Sequence, residues 1–433
     1  MTRRNFMQSS AVAATAFQTT RAANDKIQIG FIGTGARGQE LMQALLANPG
    51  VEITVLTDAY AGRMERAVAR TNGRAKKVSD YKEILADKSV DGVVIATPDH
   101  WHKTMILEAF AAGKDVYCEK PMTYRSAEGL EIIEAQKRSG RVLQIGSQGM
   151  SGAIQRKAKE IIQSGKLGQV TMIRAAYNRN TASGAWIYPI PPDASPKTVN
   201  WDAFQGPLAN KRAFNLERFF RWRCYTDYSG GIATDLFVHL CTTIHFLMDA
   251  KAPSKVMAMG QLYRWKESRD VPDNINALLE YPEGFAANLS STFNNQSSAE
   301  SSFQILGTKG TLAIGSDLTF FPETGVEDNR WIVESWPQPL ENAYYRDPKV
   351  RQSEMPSTWK ERAVEDRVSY RGEGMDSTVA HMGHYLESIR TRQPYWQNAA
   401  VGHRAAACAH MVNLSAQEGR LVQWDFAKDD IKA

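Results

Sequence analysis

Ile27-Gln28-Ile29-Gly30-Phe31-Ile32-Gly33-Thr34-Gly35-Ala36-Arg37-Gly38 is the stretch on which the reading of this chain turns. Ile27, Ile29, Phe31 and Ile32 form an apolar, β-branched run that enters Gly33-x-Gly35-x-x-Gly38 directly. Leu41, Leu45 and Leu46 then recur at helical spacing, and a second apolar run, Val51 to Leu56, ends near Asp58. Strand, glycine turn, helix and second strand are the context that makes this glycine pattern a dinucleotide-binding expectation. Gly33 permits the tight turn. Gly35, with no Cβ, lets a pyrophosphate approach the backbone, and Gly38 lets the helix pack closely on the strand. The backbone of Thr34, Ala36 and Arg37 completes the cradle at the helix start, where unpaired N–H groups attract phosphate. Asp58, twenty residues after Gly38, is placed to accept from the adenosine ribose hydroxyls, which favours NAD. Arg37 and Arg63 lie in segments able to reach a 2′-phosphate, which keeps NADP open. A glycine turn that serves packing alone is the competing reading.

The chain has 433 residues, a length suited to two domains, and its 43% hydrophobic and 23% charged residues are ordinary for a globular protein. No run of about 18 apolar residues occurs, so no transmembrane helix is expected. Residues 1–23 read as a leader rather than fold. Arg3-Arg4-Asn5-Phe6 is a twin-arginine pattern, Ala11 to Phe17 is weakly apolar, and small residues around Ala22 offer cleavage points. A periplasmic location, reached in folded form, is the expectation. The net charge of +5 falls to near +2 without Arg3, Arg4 and Arg21, and no basic run points to nucleic acid. Cys118, Cys224, Cys241 and Cys408 lack metal-site spacing and read as small core residues; no metal is expected.

Residues 24–149 alternate strand and helix signals: a short helix around Val78 to Leu85, a buried strand from Asp91 to Thr97, a helix from His102 to Ala112, a strand from Asp115 to Cys118, a helix from Ser126 to Ser139 and a strand from Val142 to Ile145. That order predicts a doubly wound parallel sheet. Residues 150–433 read differently. A helix from Ile154 to Gly165 and a strand from Val170 to Tyr177 precede a long irregular loop, Trp186 to Phe214. A helix follows Gly231. Alternating stretches at Val256–Tyr263, Asn274–Tyr281, Ala286–Phe293, Ser301–Leu306 and Thr311–Ile314 predict an antiparallel sheet. Residues 322–375 read as loop, and two helices close the chain, Val379 to Arg392 and Val401 to Glu418. The fold expected is therefore α/β, a Rossmann domain followed by an α/β domain with a large antiparallel sheet.

Three segments carry candidate chemistry. Thr97, Pro98 and His102 lie at the carboxyl end of a parallel strand, where open α/β sheets bind ligands. Glu119-Lys120-Pro121 ends the next strand and places an ammonium where it can polarise a substrate oxygen. In Gly230-Gly231-Ile232-Ala233-Thr234-Asp235-Leu236-Phe237-Val238-His239, Asp235 and His239 share a helix face, and a carboxylate beside an imidazole suits alcohol oxidation. Tyr177, Trp186, Tyr188, Trp222 and Arg223 are candidates to line a sugar pocket, since aromatic faces suit sugar C–H faces.

Gly33-x-Gly35-x-x-Gly38, Glu119-Lys120-Pro121 and Gly230-Gly231 with Asp235-x-x-x-His239, in that order, resemble the glucose–fructose oxidoreductase/inositol dehydrogenase/rhizopine-catabolism (Gfo/Idh/MocA) family. The resemblance covers the chain after the leader. It implies a nicotinamide cofactor, a sugar or polyol substrate and a sheet that forms a homo-oligomer interface. It implies Lys120 as the active-site lysine, and Asp235 and His239 as a substrate-binding and proton-transfer pair, with His239 as base or, with roles exchanged, Lys120. Export would require a tightly held cofactor, recycled in place. That fits an oxidoreductase, or alternatively a redox-neutral NAD-dependent glycoside hydrolase. A non-catalytic nucleotide or sugar sensor is the reading from a different class.

Overall fold

The computed structural model describes residues 26–296, 303–323, 329–354, 367–372 and 374–432. The twin-arginine segment, 1–23, lies outside them.

Six strands build the first sheet: β1 (Ile27–Ile32), β2 (Val51–Thr57), β3 (Lys76–Lys77), β4 (Gly92–Ile95), β5 (Asp115–Glu119) and β6 (Leu143–Gly146). Their order is β3-β2-β1-β4-β5-β6 and every pairing is parallel. β4 and β5 are buried at every position, which suits the apolar run of β4 and the centre of β5; the acids at the ends of β5, Asp115 and Glu119, are buried against Arg392 and Arg37. The chain reverses direction across the sheet between β1 and β4, and such a switch point opens a crevice at the strands' carboxyl ends. Helix Tyr81–Ala86 starts later than the apolar pattern suggests because Asp80 caps it, with Glu83 completing a capping box. The expectation also omitted helix Ala61–Arg70, whose only buried residue is Ala67.

Ten strands form the second sheet: β7 (Val170–Asn178), β8 (Lys255–Gln261), β9 (Asn274–Tyr281), β10 (Phe285–Thr292), β11 (Phe303–Gly307), β12 (Gly310–Ile314), β13 (Asp317–Pro322), β14 (Val368–Arg371), β15 (Val422–Asp425) and β16 (Asp430–Ile431). The order is β14-β13-β12-β11-β7-β10-β9-β8-β15-β16. All neighbours are antiparallel except β7 and β10, which run parallel because β7 enters the sheet early and β10 returns beside it through a hairpin with β9. In β9 and β10 every second residue is buried, and those between are exposed or half-buried. The buried side packs on helices Val238–Met248 and Ala399–Glu418. The other side presents Met172, Met257, Met259 and Leu278 to solvent.

Two stretches expected to be loop contain more. Within 322–375 lie helices Arg330–Val333, Gln338–Tyr344 and Pro348–Glu354 and strand β14. Helix Gln338–Tyr344 buries no residue, so no apolar period marks it. The 186–214 stretch holds helix Trp201–Gln205, capped by the Asn200 side chain accepting from the Ala203 N–H. Helix Ser377–Thr391 crosses back to the Rossmann sheet, where Met382, Tyr385 and Leu386 join the core with Ile29 and Phe31. Helix Ala399–Glu418 begins at Asn398, whose side chain accepts from the N–H groups of Ala400 and Val401, and ends at left-handed Gly419. All four cysteines are buried free thiols, as their sequence context suggested. Among the described residues, no helix is long and apolar enough to cross a membrane, and no group of three or more His, Cys, Asp or Glu is placed to hold a metal ion.

Candidate active site

A single cleft of about 1110 Å³ runs from the glycine turn across the switch point to the second domain. At one end stands the turn after β1. Gly33 adopts φ +90°, and a Cβ there would lie 2.6 Å from the Ala96 carbonyl oxygen. A Cβ on Gly38 would lie 2.3 Å from the Gly33 oxygen, so helix and strand touch through it. A Cβ on Gly35 would meet only the Arg63 side chain, at 3.5 Å, so this glycine faces open cleft. Helix Ala36–Leu46 begins there with no side-chain cap, leaving its first N–H groups for an anion. Asp58 is fixed at the end of β2: Oδ2 accepts from the Thr34 N–H at 2.7 Å and Oδ1 from the Tyr60 N–H at 2.9 Å. Each oxygen keeps a lone pair for a ribose hydroxyl. Arg63 lies 3.7 Å from Asp58 and over the rings of Phe219 and Phe220. Arg37 donates to Glu119 at 3.1 Å and to Glu40 at 2.7 Å. These residues fit a dinucleotide: an open glycine, uncapped amides and a pinned carboxylate in the order the ligand needs.

The long loop expected from Trp186 to Phe214 crosses this end. The Ala61 N–H donates to Thr198 O at 3.0 Å and the Asn200 N–H to Ala59 O at 2.7 Å. Further on, the Phe204 carbonyl accepts from Trp101 Nε1 at 2.8 Å and faces His100 Nε2 at 2.9 Å. Residues 198–206 are thus tied to the chain after β2 and to the chain after β4, bridging the two lips of the crevice.

At the other end the sequence-predicted trio converges. Lys120 Nζ donates to Asp235 Oδ1 at 2.8 Å and to its main-chain oxygen at 2.9 Å. Arg223 Nε donates to the same Oδ1 at 2.9 Å. The helix that carries Asp235 opens with a π-helical turn, Ala233–Phe237, and both Asp235 and His239 still face the cleft. Burial pushes the Asp235 carboxyl up, but the charges of Lys120 and Arg223 outweigh it and hold the acid far below the usual carboxylate range. Burial, then the Lys120 charge, pushes His239 down to about 3, so the imidazole is neutral at physiological pH. Neither of its ring nitrogens has a hydrogen-bond partner among the described residues. Such a site can hold a hydroxyl between an ammonium and a neutral imidazole.

Other predicted residues fall elsewhere. Thr97, Pro98 and Glu119 line the cleft, as do Trp222 and Arg223. His102 does not: its ring is buried, with Nδ1 2.7 Å from the Pro121 oxygen and Nε2 3.0 Å from the Thr97 oxygen, so it organises two cleft segments from behind. The Thr34 side chain is buried, and its N–H is occupied by Asp58. The Tyr177 side chain stands behind the wall rather than on it, while Trp186 and Tyr188 reach the cleft. Sequence reading did not single out three residues that belong here. Gln148 bridges Tyr117 and Glu119, donating at 2.6 and 2.7 Å. Arg179 lines the cleft just past β7, two residues beyond Tyr177. Asp99 is buried near Lys120 and Asp235 with Oδ2 unpartnered, and burial together with the Asp235 charge pushes it up to about 7. Only its place after a parallel strand marked it.

A family model described as "Oxidoreductase family, NAD-binding Rossmann fold" matches residues 27–147, and one described as "GFO/IDH/MocA C-terminal domain" matches residues 203–313, together more than half of the chain. Inositol 2-dehydrogenase of Salmonella typhimurium is 33% identical over 159 residues, 36% of this chain and 47% of that protein. The chain thus spans about half the length of the curated inositol dehydrogenases it matches. The 1,5-anhydro-D-fructose reductase of Ensifer adhaerens is 25% identical over 283 residues, 65% of this chain and 74% of the reductase. Among solved structures, a levoglucosan dehydrogenase in complex with NADH and levoglucosan shares the fold with a TM-score of 0.67 at 17% identity, over 92% of this chain and 99% of that one. The aldose-aldose oxidoreductase of Caulobacter crescentus does so with a TM-score of 0.65 at 18% identity, over 92% and 99%. Two family models, one over the first domain and one over part of the second, with the glycine turn in one and the Asp235–His239 helix in the other, settle the kinship: the chain belongs to the GFO/IDH/MocA oxidoreductase family.

Proposed function

We propose that this protein is an NAD(P)-dependent oxidoreductase that oxidises a CH–OH group of a sugar, polyol or sugar derivative, with NAD favoured. The observation that carries the reading is Lys120, Asp235 and His239 converging in the same cleft as the glycine turn. Gly35, the amides of helix Ala36–Leu46 and Asp58 would hold the dinucleotide. Its nicotinamide supplies the hydride acceptor. Asp58, as the carboxylate that would accept from the ribose hydroxyls, would disfavour a 2′-phosphate, and Arg63 beside it would offset part of that.

The chain's own residues account for the proton and the charge. Lys120 Nζ donates to the reacting oxygen and stabilises it as alkoxide character develops. Asp235 holds Lys120 in place from one side, and its Oδ2 is available to a neighbouring hydroxyl. Neutral His239 accepts the hydroxyl proton at a ring nitrogen. If the roles are exchanged, Lys120 takes the proton and His239 donates to a second hydroxyl. The pH dependence of Lys120→Met against His239→Ala separates the two.

The 198–206 bridge supports a retained cofactor, and with the twin-arginine pattern at Arg3-Arg4 it supports export in loaded form to the periplasm and recycling in place. Met172, Met257, Met259 and Leu278 on the open side of the second sheet support a homo-oligomer. Retention equally serves a redox-neutral glycoside hydrolase, which would cleave aryl glycosides with no net change in nucleotide. The test is a single turnover of purified holoenzyme with a panel of sugars, followed by nucleotide absorbance. We expect reduction that Lys120→Met slows by about 10³-fold with nucleotide still bound. No reduction by any sugar, with bound oxidised nucleotide present, would overturn the reading.

A further inference from the structure

The reactive end of the cleft carries more positive charge than its own acids answer. Lys120, Arg179 and Arg223 face it, and Asp235 is the one carboxylate set among them. Among the other acids lining the cleft, Glu119 and Glu40 pair with Arg37, Asp58 accepts from two backbone N–H groups, Asp80 from the Lys82 N–H and Glu108 from the Tyr81 hydroxyl, while Asp202 stands exposed on the 198–206 bridge, away from the reactive trio. The three cations act on one volume. Arg179 and Arg223 are both near enough for their charges to act on Tyr188, and Lys120, Arg37 and Arg179 on His239, with Lys120 the strongest of the three there. Asp99, behind them, offsets part of the excess only when ionised, and its raised pKa keeps it partly protonated at neutral pH.

The guanidinium groups are also held ready. Arg223 uses Nε on Asp235 and lies over the Trp222 ring at 4.2 Å from its centroid, while its Nη groups have no partner among the described residues. Arg179 donates through Nη1 to the Gly184 oxygen at 3.0 Å and lies over Phe293. Neither cation belongs to the glycine turn, whose nearby cations are Arg37 and Arg63. A fixed planar guanidinium with free N–H groups is suited to a carboxylate, which it can meet with two parallel hydrogen bonds.

We infer that the substrate is an anionic sugar, specifically a sugar acid whose carboxylate is received by Arg179 and Arg223 while its hydroxyl faces Lys120 and His239. This rests on the oxidoreductase reading and narrows it. A sugar phosphate shares the charge but not the planar geometry. Neutral sugars would leave the excess charge unanswered.

The experiment uses the holoenzyme and matched ligands: glucuronate and gluconate, against glucose and glucitol, against glucose 6-phosphate. Binding is read by tryptophan fluorescence, since Trp222 lines the site, and turnover by nucleotide absorbance. We expect the acids to bind roughly tenfold or more tighter than their neutral counterparts, as charge-assisted hydrogen bonds predict, with a preference that weakens as salt rises. Arg179→Gln should cut the acid-to-neutral ratio about tenfold, and Arg179→Lys should restore part of it. Neutral sugars binding as well as the acids would overturn the inference. So would phosphate preferred over carboxylate, or a ratio indifferent to both variants. If acids bind selectively and no sugar reduces the nucleotide, the oxidoreductase reading fails while the charge assignment stands. If neutral sugars are turned over and acids are not, the reverse holds.

Discussion

The two ends of the cleft are built on opposite principles. At the glycine-turn end, charge is already matched: Asp58 accepts two N–H groups, Arg63 sits beside Asp58, and Arg37 is shared between Glu40 and Glu119. At the reactive end, one carboxylate serves Lys120 and Arg223 through a single oxygen, Arg179 adds a third cation, and the ring of His239 is neutral and has no hydrogen-bond partner among the described residues. The first end is shaped by backbone, with its charges already paired. The second is an electrostatic arrangement completed by its ligand. The difference teaches how one cleft divides its work: a pinned turn suits a cofactor of fixed shape, and an open charge pattern is where a substrate would be chosen.

Removing the acid that Lys120 and Arg223 share is the strongest way to break this contrast. Asp235→Asn leaves Lys120 and Arg223 close together with only Asp99, behind them, as a counter-charge. We expect a loss of about 3 kcal/mol of stability by denaturant titration, and turnover reduced about 10³-fold. A variant as stable and active as the parent would show that the pairing is incidental.

A pair of glycine substitutions sharpens the comparison at the other end. Gly33→Ala forces a side chain into φ +90° and against the Ala96 oxygen, so about 2 kcal/mol of stability should be lost. Gly35→Ala meets nothing closer than 3.5 Å, so its melting temperature should hold while nucleotide affinity falls. Equal melting losses in the two would contradict the distinction between a folding glycine and a binding glycine. Asp58→Ala should weaken NAD by roughly tenfold and shift preference toward NADP, measured by equilibrium dialysis. Unchanged preference would remove Asp58 from cofactor selection.

The smallest effect expected concerns His239. Its pKa is lowered in the folded state to about 3, so below pH 6.5 the folded chain binds fewer protons at this site than the unfolded chain. The stability it contributes is full above pH 6.5 and drains as pH falls toward 3. His239→Gln should flatten that part of the pH–stability curve, and its ring signals in the wild type should stay constant by NMR from pH 7.5 to 5. Titration near 6.5 would show an open, solvated imidazole instead.

How much of this was legible before the structure depended on whether a residue's role is local. Gly33, Gly35 and Gly38 announce themselves because a turn, an approach and a packing contact each require the missing Cβ at fixed spacing. Asp58 follows from the length of one β-α-β unit. Lys120 and Asp235 were identifiable as candidates, but their contact joins positions 115 residues apart. Arg179 could not be read as a partner of this site, since only the pairing of β7 with β10 and β11 carries its end of the strand there. His102 misled because a histidine after a parallel strand looks like a ligand group, and two backbone carbonyls hidden from the sequence claim its ring. Helix Gln338–Tyr344 and β13 were missed where burial leaves no clear period.

The most direct test of the central claim is to purify the chain without residues 1–23 and without added nucleotide, denature it in acid, and count what is released by mass spectrometry. The account predicts about one NAD(H) per chain, with NADP(H) scarce, because the pinned Asp58 and the 198–206 bridge select and retain it. A folded protein that releases no nucleotide would contradict a loaded, self-recycling enzyme and return the glycine turn to a role in packing alone.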